Sequence, residues 1–141
     1  MNYSRLGLVF CMGLHKEAGI VHRILEKQGF EAVSVICKVG RAAKAKLELS
    51  RENQVDIGAD MEPQCNPILQ AAIVNHEKTD FNVLLGLCVG HDSLFMKHSE
   101  AMCTVLAVKD RLLGHNPLAA IYTCDSYSRY LKDPNLLKTK K

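Results

Sequence analysis

Six cysteines and six histidines are spread along 141 residues, and their placement says more than their number. Cys11 and Cys37 each close a short apolar run. Cys88 and His91 share the turn Gly86-Leu-Cys-Val-Gly-His-Asp-Ser93. Cys65 stands directly before Asn66-Pro67, and His115 directly before Asn116-Pro117. Thiolates joined by an imidazole are the ligand set for zinc or an iron–sulfur cluster. The candidate metal ligands are therefore Cys11, Cys37, Cys65, Cys88, His91 and His115. The same residue types can instead supply a nucleophile and its acid–base partner. On that alternative Cys88 or Cys65 attacks, His91 or His115 moves the proton, and the substrate is a small anion. No compact C-x-x-C pair is present, so either chemistry needs a fold that gathers distant residues.

Each residue also has a plain packing explanation. Cysteine behaves as a small hydrophobe at the end of an apolar strand, and a histidine in a turn can simply bond its neighbours. Cys103 begins a strand and Cys124 falls in a helical stripe, so both are assigned to packing. His15, His22, His76 and His98 read as solvated helix positions.

The elements that must position these residues follow from periodicity. Residues 6–12 and 31–37 are continuous or β-branched apolar runs, which predict strands. Residues 14–28 between them carry Leu14, Ala18, Val21, Ile24 and Leu25 at helical spacing. Such a βαβ unit predicts a parallel pair. Residues 38–63 are irregular, with a helical turn or two expected over 42–51, and read as a loop or flap. A helix then starts at Pro67, capped by Asn66, with a buried stripe of Ile68, Leu69, Ala72 and Ile73. Residues 81–88 are the third strand, followed by a short helix capped by Asp92 or Ser93. Residues 103–108 are the fourth strand, and a helix is expected from 118 to about 131. Lys109, Asp110 and Arg111 read as a charged strand exit, most simply a solvated loop, with an ion pair or an anion contact as the alternative.

This order predicts one α/β domain over residues 1–141, ending in a flexible tail at 135–141. The architecture is a three-layer, Rossmann-like sandwich with a mainly parallel four-stranded sheet in the order 2-1-3-4. In such a sheet, strand C-terminal ends and helix N-termini share one edge. Cys11, Cys37 and Cys88 lie on strand ends, and Cys65 and His115 precede helices, so topology alone should gather them there. Helix N-termini at that edge would also favour thiolates and anions.

Other functions find little support. There is no G-x-G-x-x-G, no G-x-x-x-x-G-K-[ST] and no G-x-S-x-G. A net charge of +3, partly in Lys138, Lys140 and Lys141, and no tryptophan give no reason to expect nucleic acid. No apolar run is long enough to span a membrane, and the N-terminus lacks the form of a signal peptide. A cytoplasmic location with reduced thiols is the resulting expectation. A homo-oligomer is compatible with the composition.

Taken together, Phe10-Cys-Met-Gly-Leu14, Ser34-Val-Ile-Cys-Lys38, Cys65-Asn-Pro67, Gly86-Leu-Cys-Val-Gly-His-Asp-Ser93 and Val108-Lys-Asp-Arg-Leu-Leu-Gly-His-Asn-Pro117 carry a resemblance. They resemble an uncharacterised, cysteine-rich prokaryotic family of unknown function whose members are often labelled metal-binding proteins. The resemblance implies that label for Cys11, Cys37, Cys65 and Cys88, with His91 and His115 nearby. It supplies no reaction. Members of that family often carry a further cysteine-rich segment ahead of the first strand, whereas this sequence starts at the strand.

Overall fold

In a computed structural model, residues 2–48, 50–55 and 58–137 are described. Four strands, β1 (Arg5–Phe10), β2 (Glu31–Ile36), β3 (Phe81–Leu85) and β4 (Met102–Ala107), form one sheet in the order β2-β1-β3-β4. Every pairing is parallel. The predicted order and class are therefore those observed. The helices are α1 (His15–Lys27), α2 (Pro67–His76), α3 (His91–His98) and α4 (Leu118–Tyr122).

The apolar run of β1 is explained by its two covered faces. Val9 packs with Val35, Leu84, Ala71 and Val74 of α2, and Phe95 of α3. Its neighbour Leu8 points the other way, into a cluster with Leu14, Ala18 of α1 and Leu85. Successive residues on a strand face opposite sides, so a strand between two helix layers has no polar side to show.

Three local expectations need correction. The buried stripe of α2 is Pro67, Gln70, Ala71 and Val74, while Ile68 and Ala72 are exposed. The apolar spacing misplaced the stripe because it counted Gln70 as outward. Gln70 is fully buried, and its Nε2 donates to Val35 O at 2.8 Å and to Phe10 O at 3.4 Å. Second, α3 begins at His91 with Gly90 at its N-cap and no side-chain cap. Asp92 lies in the first turn, where its Oδ1 accepts from the Gly90 and Ser93 amides. Third, α4 stops at Tyr122. Turns follow, and Thr123 Oγ1, which donates to Ala119 O and meets Ser128 Oγ at 2.7 Å, folds the chain back on itself. Cys124 therefore lies in a turn beyond the helix, not in a helical stripe.

Residues 135–137 of the expected tail belong to a 3-10 turn, Pro134–Leu137, and residues 138–141 lie outside those described. Within the expected flap, residues 49, 56 and 57 are also outside. The described part has 3-10 turns at Lys44–Leu47 and Arg51–Asn53 in place of α-helix. Its two ends are pinned together by an antiparallel bridge between Ala43 and Pro63. Lys44 N donates to Glu62 O and Gln64 N to Ala42 O.

Candidate functional site

At the C-terminal edge of the sheet lies a cleft of about 490 Å³. Cys11, Cys37, Cys65, Cys88 and His91 all line it. The gathering of thiols anticipated from topology is thus the arrangement found. β1 delivers Cys11 and β2 delivers Cys37, each one residue past its strand. Cys65 is placed by the cap of α2, where Asn66 Oδ1 accepts from Leu69 N at 3.0 Å. Cys88 is placed by the turn after β3. That turn starts at Gly86, whose φ of 62° is a left-handed conformation suited to glycine. A Cβ there would lie 2.1 Å from Leu14 Cδ1, so Leu14 also fixes the residue type.

His115 does not join them. It sits in the turn after β4 with a φ of 65°, and its Nδ1 accepts from Asp110 N at 3.1 Å. The expected parallel between Cys-Asn-Pro and His-Asn-Pro fails at this point, because α4 has no side-chain cap and Asn116 does not act as Asn66 does. Cys103 lies at the other end of the sheet with its Sγ donating to Ala101 O, and it packs against the core as expected.

Cys37 joins three of the sulfurs, bonded with Cys11 on one side and in contact with Cys65 on the other. Cys37 Sγ lies 3.8 Å from Cys65 Sγ and accepts from Met12 N at 3.3 Å. Cys11 Sγ accepts from Gly13 N at 3.4 Å. The protons of this trio are unevenly held. The Cys11 thiol is lowered to about 4, chiefly by its bond with Cys37, then by the Gly13 amide and the Lys109 ammonium, against the cost of burial. The Cys65 thiol is lowered to about 6, first by its contact with Cys37 and then by the charges of Lys38 and His91. Cys37 moves strongly upward, because it is buried between two neighbours that are better placed to be thiolates. These directions favour keeping the proton on Cys37 and negative charge on its two neighbours.

Four cations line the same cleft: Lys38, Lys44, Lys109 and Arg111. Glu62 holds two of them, with Oε1 2.7 Å from Lys44 Nζ and 3.8 Å from Lys38 Nζ. Lys38 Nζ also donates to Pro63 O. Glu62 Oε2 accepts from Val55 N at 2.7 Å, which ties the flap across the site. Lys109 faces Cys11, and an Arg111 guanidinium nitrogen lies 3.8 Å from Cys88 Sγ. Of the two expectations for Lys109 and Arg111, a solvated strand exit or an anion contact, their lining of the cleft favours the second. Their position just past β4, on the edge where the cysteines gather, was the signal that they belonged to the site.

Residues 1–106 match the family described as protein of unknown function DUF1847. The chain belongs to that family. It is 46% identical over 123 residues to an uncharacterised protein of Methanocaldococcus jannaschii, covering 87% of this chain and 61% of the relative. The chain thus spans less than two thirds of that relative's length. No solved structure matches.

Among the described residues, no group of three or more Cys, His, Asp or Glu side chains is arranged to hold a metal ion. Nor is any described helix long and apolar enough to cross a membrane.

Proposed function

We propose that the cleft is a thiolate site that binds a small anionic substrate and attacks it through Cys65. The observation that supports this reading is one pocket holding a three-thiol cluster together with four cations that outnumber the carboxylate and thiolates beside them. A thiolate is the reactive form of cysteine. With its pKa near 6, Cys65 is roughly nine-tenths thiolate at neutral pH while keeping much of its intrinsic nucleophilicity. Cys11 is more fully ionised but buried and engaged by Gly13 and Lys109, which suits it to shaping the field. Lys109 and Arg111 would hold the anion. As the bond from Cys65 Sγ forms, the bond to the leaving group breaks, and His91 would hand that group its proton.

Paired alkylating agents test this reading. An ordinary exposed thiolate reacts faster with neutral iodoacetamide than with anionic iodoacetate. Here iodoacetate should be the faster reagent at Cys65 in low salt, and the preference should fade as salt screens the cations. Neutral reagent remaining faster at every ionic strength would remove the anion-binding half of the proposal.

A second reading, a zinc or iron–sulfur site, is favoured by one distance. Two thiolates on a tetrahedral zinc with Zn–S bonds of about 2.3 Å lie about 3.8 Å apart, which is the Cys37–Cys65 separation. Completing such a site would require Cys11, Cys88 or His91 to move in. Elemental analysis of protein purified without air tests it: one bound zinc or several irons per chain would support it, and metal-free folded protein would not.

A further inference from the structure

We propose that Cys65 and Cys37 form a reversible dithiol–disulfide couple that exchanges with small-molecule disulfides. Their sulfurs lie 3.8 Å apart, and a disulfide needs about 2.05 Å, so the sulfurs must close by less than about 2 Å to bond. The backbones carrying them are already clamped together. Asn66 N donates to Cys37 O at 2.8 Å, and Cys37 N donates to Phe10 O at 2.9 Å. The two thiols also differ in access. Cys37 is buried, whereas Cys65 is half-buried at the cleft. Cys65 therefore meets the incoming molecule, and Cys37 waits behind it as the resolving thiol.

The steps balance with no further oxidant. Cys65 sulfur attacks one sulfur of the external disulfide, an S–S bond forms, and one external thiolate leaves. Cys37 then attacks the Cys65 sulfur, giving up its proton to the departing thiolate. The second external thiol is released, and Cys37–Cys65 is the new disulfide. Two protein thiols have been oxidised and one external disulfide reduced to two thiols. Cys11 is less open to the incoming molecule than Cys65, since it is buried while Cys65 is half-buried.

The bond would close residues 38–64, which include the flap, into a covalent loop and remove the Cys65 nucleophile from the cleft. The couple itself needs only the two sulfurs. Its use as an off-state rests on the reading of Cys65 as the working thiolate.

The test uses the whole chain equilibrated in glutathione buffers of graded redox ratio, acid-quenched, alkylated and peptide-mapped. The expected result is a Cys37–Cys65 linked peptide pair that appears in oxidising buffer and disappears on return to reducing buffer. Cys37→Ser should trap glutathione on Cys65 as a stable adduct. A link through Cys11 or Cys88, glutathione persisting on wild-type Cys65 with no internal link, or no oxidation at any ratio would overturn the proposal. The wild-type map decides the matter even where the variant fails to fold. A chain that forms the link but shows no preference for iodoacetate would keep the couple and lose the anionic substrate.

Discussion

The two edges of the sheet are built on opposite principles. At the N-terminal edge, polar groups find partners. Asp80 Oδ2 accepts from Ser4 N and Arg5 N, both at 2.8 Å, and these amides, Arg5 first, hold its carboxyl below the usual range. Arg5 joins Glu31 and Glu77 at 3.0 and 2.8 Å. Buried Asn82 accepts from Thr79 Oγ1 and donates to Ser99 Oγ, both at 2.8 Å. At the C-terminal edge three thiols crowd together and four cations line the same cleft, with Glu62 the carboxylate that holds two of them. Matched groups lower the free energy of the fold. A cluster that forces thiols to ionise holds reactivity, which is the pattern of functional sites.

The comparison can be broken from either end. The largest effect is expected from Gly7→Ala at the N-terminal edge. An added Cβ would stand 2.0 Å from Asn82 Oδ1, and overpacking of this kind costs about 3 kcal/mol. Chemical denaturation should show that loss. Cys65→Ser, at the other edge, should remove the fast phase of alkylation, a drop of about a hundredfold, while stability changes by less than about 1 kcal/mol. Replacing Lys109 and Arg111 together with Met should lower the iodoacetate-to-iodoacetamide ratio at Cys65 about tenfold. The smallest effect is expected from Asn66→Ala. Loss of this helix cap costs about 1 kcal/mol, and it should loosen Cys65 enough to slow the Cys37–Cys65 link in the redox titration.

The sheet was legible in the sequence because buried parallel strands separated by helices leave few alternative layouts. The gathering of Cys11, Cys37, Cys65, Cys88 and His91 followed from that layout, since strand ends and helix starts must share an edge. What was not legible depended on partners distant in sequence. Gln70 reads as a surface residue until the carbonyls of Val35 and Phe10 are seen above it. Residues 118–131 have helical apolar spacing, yet Thr123 turns the chain after Tyr122. His115 matched Cys65 in local sequence only, because the Asp110 amide claims its ring. Lys109 and Arg111 were legible in part: their place just past β4 puts them on the cysteines' edge, but only the fold shows that both line the cleft.

The central claim is that the fold ionises Cys65 by placing it between Cys37 and nearby cations, and the direct measurement is its alkylation rate against pH. A thiol lowered in the folded state is already thiolate above its shifted pKa. The rate at Cys65 should therefore climb with pH up to about 6 and stay flat above it, whereas in denatured protein it should still be climbing at pH 8. A native Cys65 whose rate also keeps rising roughly tenfold per pH unit through pH 8 would contradict the account.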